Sequence, residues 1–313
     1  MIAVVLSVLV GPTAGLAAAG LATGAYRAPG EETVAALVQG ARSEADAGPL
    51  AQRLAQVTDL FVGAPYLLSP LGEGPGAVPD ADPLMRFDAF DCTTFVETAL
   101  SLAVADDLME ARELLKVIRY REGRVDYLAR RHFPEAEWIP ELTALGFLQD
   151  VTREVGGSDV VMERKILDLS VWKRNRNDKT PPLPDERIPR GEFSLDVWPL
   201  QAARAGQDKI PIGAVLHLVR VDFASVPMRV SHQGLVIEKN GKRYLRHAAD
   251  RMYHSVVDEP LDHFFSRMQK YRKWPVSGVH VTRIVRPSSW RALLPVAPRA
   301  PLDPHAASVH APL

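Results

Sequence analysis

Asn240-Gly241 stands between two runs that read as strands, 229–238 and 243–248. Asn-Gly is a strong hairpin signal, because both residues tolerate the positive φ of a two-residue type I′ turn. Such a turn fixes the register outward. Lys239 faces Lys242, Glu238 faces Arg243, His247 faces Gly234 and His232 faces Ala249. Side chains alternate faces with period two, so His232, Gly234 and His247 share one face of the hairpin. The two histidines become diagonal neighbours, roughly 7–8 Å apart by position. Gly234 leaves space for an imidazole opposite it. A three-residue loop would reverse the parity and separate the histidines. This one hairpin therefore requires an antiparallel sheet and states what part of its face presents.

Around the hairpin, helical patterns come first and strands later. Residues 33–39 form a short helical pattern, and Leu50, Leu54, Val57, Leu60 and Phe61 fall at helix spacing. Gly63-Ala64-Pro65-Tyr66 breaks that helix, and residues 71–83 read as a loop rich in Gly, Pro and Asp. Residues 107–120 predict an amphipathic helix with Leu108, Ala111, Leu114, Leu115 and Ile118 on one side, and 141–155 a further helix. Residues 173–190, with Pro181, Pro182, Pro184 and Pro189, read as a long loop. Strands are expected at 214–221 and 279–285, with a helix at 260–271 between the hairpin and the last strand. There is no internal repeat. Helices followed by a meander imply an α+β domain, not a doubly wound sheet. The expected limits are 31–287, with a helical insertion at about 105–205 and a disordered Ala- and Pro-rich tail at 288–313.

The first charged side chain is Arg27, and the apolar run from Ile2 to Val10 leads into small residues. Residues 1–26 thus read as a secretory signal peptide or N-terminal anchor, with Ala17, Ala18 and Ala19 offering a cleavage site. No Lys or Arg precedes the run, so the usual positive start is missing. Gly11, Pro12, Gly15, Gly20 and Gly24 interrupt it and argue against a full membrane span. The expectation is export to the periplasm or cell envelope, with the membrane met only through that anchor. With 37 Lys and Arg against 38 Asp and Glu, the net charge of -1 supplies no field for nucleic acid.

Cys92 is the only cysteine in 313 residues. It can form no internal disulfide and no cysteine-rich zinc site. In an oxidising compartment, a solitary thiol is either buried or used. Taken alone it reads as a small apolar residue packed beneath Phe90 and Phe95. Its position favours use. Asp91 is a plausible N-cap of a helix that follows, with Glu97 three residues after Thr94 as in a capping box. A helix mouth would stabilise a thiolate. Of nine histidines, only the hairpin pair is brought together by geometry. One could serve as base toward the thiol and the other could orient it. No Gly-x-Ser-x-Gly elbow, phosphate loop or His-Glu-x-x-His helix is present. A metal site from His247, Asp250 and His254 fits no strong template, and no cofactor is expected.

Gly63-Ala64-Pro65-Tyr66, Phe90-Asp91-Cys92, Ser231-His232-Gln233-Gly234 and Leu245-Arg246-His247-Ala248 together resemble the ordered motifs of NlpC-type papain-like cell-wall hydrolases. The closer resemblance is to a branch catalogued as a domain of unknown function and described as N-acetylmuramoyl-L-alanine amidase-like. Asp91-Cys92-Thr93-Thr94-Phe95-Val96-Glu97 and the run from Ile118 to Asp126 carry it. It covers roughly residues 50–287. The resemblance implies a papain-like core, with the Cys helix packed on an antiparallel sheet. It implies Cys92 as nucleophile, His232 as base and then acid, and His247 orienting His232. Tyr66 would stand near the oxyanion or form an aromatic wall. Asp91 would hold a substrate amine or only cap the helix, and Ser231 would support the site. Arg119, Tyr120 and Arg121 would meet sugar or carboxylates, or end a solvated helix. The implied partner is peptidoglycan or a muropeptide. The implied reaction is cleavage of the amide between N-acetylmuramic acid and L-alanine through a thioester. A γ-D-glutamyl–diamino-acid endopeptidase and a non-catalytic wall-binding module remain as alternatives. Oligomeric state is not legible.

Overall fold

The computed structural model describes residues 26–40, 50–174, 183–224 and 226–294. In chain order the helices and strands are α1 (Glu31–Gly40), α2 (Leu50–Asp59), α3 (Cys92–Val104), α4 (Leu108–Arg119), α5 (Ile139–Ala144), β1 (Leu148–Asp150), α6 (Thr152–Gly156), β2 (Val161–Leu167), α7 (Leu169–Arg174), β3 (Gly191–Pro199), α8 (Leu200–Ala205), β4 (Ala214–Arg220), β5 (Val230–Lys239), β6 (Lys242–Ala249), β7 (Ser255–Pro260), α9 (Leu261–Gln269) and β8 (Val276–Ile284). The strands form one antiparallel sheet in the order β2-β3-β8-β4-β5-β6-β7, with β1 on β8 beside β3.

Alternation along the strands divides the core. Val215, Leu235 and Ala248 face α1 to α4 on one side. Leu216, Val236 and Leu245 face α8 and α9 on the other. Both faces are covered, so the central strands read as apolar runs. Twelve of the thirteen residues of α3 are buried, from Thr93 to Val104, and Cys92 is the exception. A helix apolar all round belongs in a core, and only its tip is left for chemistry.

The hairpin register follows the expectation: Lys239 pairs with Lys242, Glu238 with Arg243 and Leu235 with Arg246. Asn240 and Gly241 have φ of 51° and 71°, as a type I′ turn requires. A Cβ on Gly234 would lie 2.8 Å from the His247 Cβ and 2.9 Å from the Arg246 carbonyl, so the close approach needs glycine.

Several expectations need correction. Residues 141–155 are not one helix but parts of α5, β1 and α6, because Gly146, with φ 81°, turns the chain. The insertion expected as helical, 105–205, contributes three strands, β1 to β3. Outer strand β2 exposes Val161, Met162, Arg164 and Ile166, whereas Lys165 is buried. The chain is not disordered from 288 onward: Trp290 is buried in the α3-side core, and Trp290–Leu293 forms a helical turn. Residues 295–313 lie outside the described residues. So do 1–25, where nearly all of the signal or anchor segment falls, and 175–182 of the proline-rich loop. Among the described residues, no helix is long and apolar enough to cross a membrane.

Candidate active site

Asp91 caps α3. Its Oδ1 accepts the N–H groups of Thr93 and Thr94 at 3.0 and 2.8 Å, and its own N–H donates to Thr94 Oγ1 at 3.0 Å. The capping box is therefore Asp91 with Thr94, not one that uses Glu97. Glu97 is buried instead, accepting from Arg119 at 2.7 Å and from Trp138 Nε1 at 3.0 Å. Asp91 Oδ2 accepts the Ser69 N–H at 2.9 Å, which ties the preceding loop to the helix tip. Asp91 is fully buried, and its oxygens accept from these cap and loop donors.

Cys92 is half-buried at the first position of α3. Phe90 and Phe95 pack on each other edge to face at 5.8 Å and are fully buried, whereas Cys92 is only half-buried. The thiolate expected at the helix mouth is overruled in the resting protein. Burial and then the Asp91 charge push the thiol up to about 12, against the Gln233 backbone, the Thr93 side chain and the Cys92 N–H.

His232 and His247 lie on the same face, against Phe264 of α9. His232 Nε2 and His247 Nδ1 are 2.6 Å apart. A register shift in the β4–β5 ladder falls beside His232, with Leu218 opposite His232 and Val219 opposite Val230. Such a bulge bends a strand and re-aims its side chains. Among the described residues no hydrogen bond joins the Cys92 thiol to either imidazole. The neighbouring Gln233 Nε2 does reach Thr93 at 2.9 Å and docks β5 on the start of α3.

Sequence reasoning missed Glu259. This β7 carboxylate is buried and accepts from His263 Nδ1 and Arg267 Nε, each at 2.9 Å. Its Oε2 lies 3.2 Å from His247 Nε2, a close but imperfectly aligned contact. Burial would raise the carboxyl, but His247 and Arg267 overrule it and bring it down to about 2. An ionised Glu259 can only accept, so His247 carries its proton on Nε2 and offers Nδ1 as acceptor. His232 must then donate through Nε2, which leaves the lone pair of its Nδ1 for another proton. Burial holds both imidazoles below the ordinary value of 6.5, most strongly His232, while Glu259 pulls the other way. The signal was present in sequence: Glu259, His263 and Arg267 follow each other at steps of four into a helix.

Tyr66 bridges to Phe90 beside α3, and its N–H donates to the His254 carbonyl at 2.8 Å. Burial, and then the charges of Cys92, Asp91 and Asp250, keep its hydroxyl protonated. It is thus a donor in the field of the thiol. Ser231 is exposed, and its Oγ accepts from Arg220 Nε at 2.8 Å. Arg119 and Tyr120 are buried, not solvated or substrate-facing: they donate to the carbonyls of Leu71 and Gly72 and clamp the 71–83 loop. Arg121 pairs with Glu141.

A buried capped helix with a thiol at its tip, docked on a sheet that carries two hydrogen-bonded histidines, defines a domain class. A family model described as "AmiA-like: N-acetylmuramoyl-L-alanine amidase-like" matches residues 56–270, more than half of the chain, and the protein belongs to that family. A solved protein of Legionella pneumophila, assigned to the DUF1460 family model, is 25% identical with a TM-score of 0.70 over 82% of this chain and 95% of that one. A structure named N-acetylmuramoyl-L-alanine amidase, from Bacteroides uniformis, shares the fold at 23% identity and a TM-score of 0.60, over 76% of this chain and 99% of that one. No curated protein matches the chain.

Proposed function

We propose that the protein is an exported peptidoglycan hydrolase of NlpC-type, papain-like descent. It cleaves the amide between the lactyl carboxyl of N-acetylmuramic acid and L-alanine. The observation that carries the reading is the His232–His247–Glu259 relay, which leaves the Nδ1 lone pair of His232 uncommitted. Family membership supports the substrate class.

In the mechanism, substrate brings thiol and imidazole together, since catalytic hydrogen bonds commonly tighten only in the complex. His232 Nδ1 takes the proton of the neutral Cys92 thiol as sulfur attacks the lactyl carbonyl. The charge on His232 is shared through His247 toward Glu259. The oxyanion receives the Cys92 N–H and the Tyr66 hydroxyl. As the C–N bond breaks, His232 gives its proton to the alanine nitrogen, and a muramoyl thioester remains on Cys92. Water, deprotonated by His232, attacks that thioester; the sulfur leaves and recovers the proton. The products are the lactyl acid and a stem peptide with a free L-alanine amine.

Mass spectrometry of a defined muropeptide digest tests this, with Cys92→Ala alongside. Intact stem peptides with a free L-alanine end are expected from the wild type alone. Release of a disaccharide dipeptide would move the bond to the γ-D-glutamyl link. A biological effect that survives in Cys92→Ala would make the protein a binding module.

A further inference from the structure

Most buried arginines here answer a carboxylate: Arg119 meets Glu97, Arg130 meets Glu73 and Asp80, and Arg246 meets Asp59 and Asp258. Arg220, half-buried at the end of β4, does not. Among the described residues no carboxylate lies within ion-pair distance of it; Asp222, two residues on, is held by Lys165. Arg220 donates from Nε to Ser231 Oγ at 2.8 Å and from one terminal nitrogen to the Trp274 carbonyl at 2.7 Å. Its guanidinium lies 4.6 Å from the Tyr271 ring centroid and 5.7 Å from that of Trp274. The aromatic groups are fixed in turn: Trp274 Nε1 donates to the Val221 carbonyl at 2.9 Å, and the Tyr271 hydroxyl accepts from Arg251 at 3.0 Å. Arg251, exposed, also has no carboxylate at ion-pair distance among the described residues. Burial, and then Arg251 and Arg267, bring Arg220 down to about 10, against the pull of Tyr271. A carboxylate partner would do the opposite. A guanidinium beside two aromatic rings, with Nε and one terminal nitrogen holding it to Ser231 and Trp274 and no carboxylate among the described residues, keeps its other terminal nitrogen to offer to a carboxylate.

Its place follows from Ser231, which is bonded to Arg220 and adjoins His232 in the chain. The Arg220 charge also reaches the His232 imidazole, which in the proposed reaction hands its proton to the leaving alanine nitrogen, and we therefore assign Arg220 to the stem-peptide side of the scissile bond. In a stem peptide whose second residue is a γ-linked D-glutamate, the first free carboxylate beyond that nitrogen is the α-carboxylate. We infer that Arg220, clamped by Tyr271 and Trp274 and assisted by Arg251, binds that α-carboxylate and makes the enzyme select the free acid over its amide. This rests on the functional reading above and adds a specificity determinant to it.

The test compares two muramoyl tetrapeptides that differ only in the second residue, D-isoglutamate or D-isoglutamine. The wild type is expected to cleave the acid with kcat/KM at least tenfold above the amide, mostly through KM. Arg220→Met is expected to bring that ratio to within twofold, and Arg220→Lys to leave an intermediate ratio. A wild-type ratio near one overturns the inference without any variant, while cleavage at the muramoyl–alanine bond leaves the functional reading standing. A preference that survives in Arg220→Met also overturns it, because another group would be reading the carboxylate. If neither substrate is cut at that bond, the functional reading itself fails, and the inference with it.

Discussion

His217 and His280 stand directly opposite each other on β4 and β8, with ring centroids 5.6 Å apart. His232 and His247 stand diagonally on β5 and β6, 4.8 Å apart. Both pairs are held neutral by burial. Their partners separate them. His217 Nε2 meets Thr282 Oγ1 at 2.9 Å and the imidazole also interacts with the Gln233 side chain, while His280 Nδ1 meets the Asp196 carbonyl at 2.9 Å and has the exposed Asp150 carboxylate 3.9 Å away. His232 and His247 bond to each other, and a buried carboxylate lies beyond them. In the proposed mechanism the second pair acts as a proton relay, because an ionised acceptor at one end sets the tautomers and a lone pair at the other end is left uncommitted. Without these, a histidine pair only fills a core.

Exchange within each pair breaks this comparison most sharply. His232→Gln is expected to lower kcat/KM roughly a thousandfold, in the range of lost general acid–base catalysis. Steady-state rates on a defined muropeptide check it, and a loss below tenfold would put His232 on a level with His217.

Glu259 is the next lever. Glu259→Gln can donate as well as accept, so it no longer fixes the relay, and a fall of about tenfold to a hundredfold in kcat/KM is expected. Because Glu259 pulls His232 upward, its loss should also move the acid limb of the pH–rate profile to lower pH. Glu259→Asp should recover part of the rate. An unmoved limb would leave Glu259 a structural anchor for Arg267 alone.

In acid the two pairs behave alike. A histidine whose folded value lies below 6.5 binds its proton more readily when unfolded, so stability is present above 6.5 and is lost as pH falls below it. His132, lowered to about 2 by burial, adds to this. Glu259, ordinarily at 4.5 and here at about 2, contributes stability that is lost only as pH falls from 4.5 through 2. Urea midpoints should therefore begin to decline near pH 6.5, ahead of the carboxylate range. A flat midpoint from pH 7 to 5 would contradict the neutral assignment. The smallest effect on rate belongs to His217→Gln. It is expected to change kcat/KM by less than about threefold and to cost about 1–3 kcal/mol of stability through disturbed buried polar groups, read by denaturant melts.

What the sequence made legible was local. The turn residues Asn240 and Gly241 fixed a register, period-two alternation put His232 and His247 on one face, and Asp91 marked the start of the Cys92 helix. What it hid was tertiary. The steps of four tie Glu259 to His263 and Arg267, but β7 is six residues long and has no clear alternation, so its register against His247 was not legible. Spacing after Thr94 placed Glu97 in a cap, and only the fold reveals Arg119 and Trp138 as its partners. A helix mouth promised a thiolate, but the desolvation that opposes it is set by what packs around Cys92.

An acid-quenched digest of a defined muropeptide, followed by intact-mass measurement and peptide mapping of the enzyme, tests the central claim most directly. The expected result is a muramoyl adduct on the Cys92 peptide, absent from Cys92→Ala. A muramoyl-dipeptidyl adduct at Cys92 would contradict the assigned bond. Full turnover by Cys92→Ala would contradict the thiol mechanism altogether.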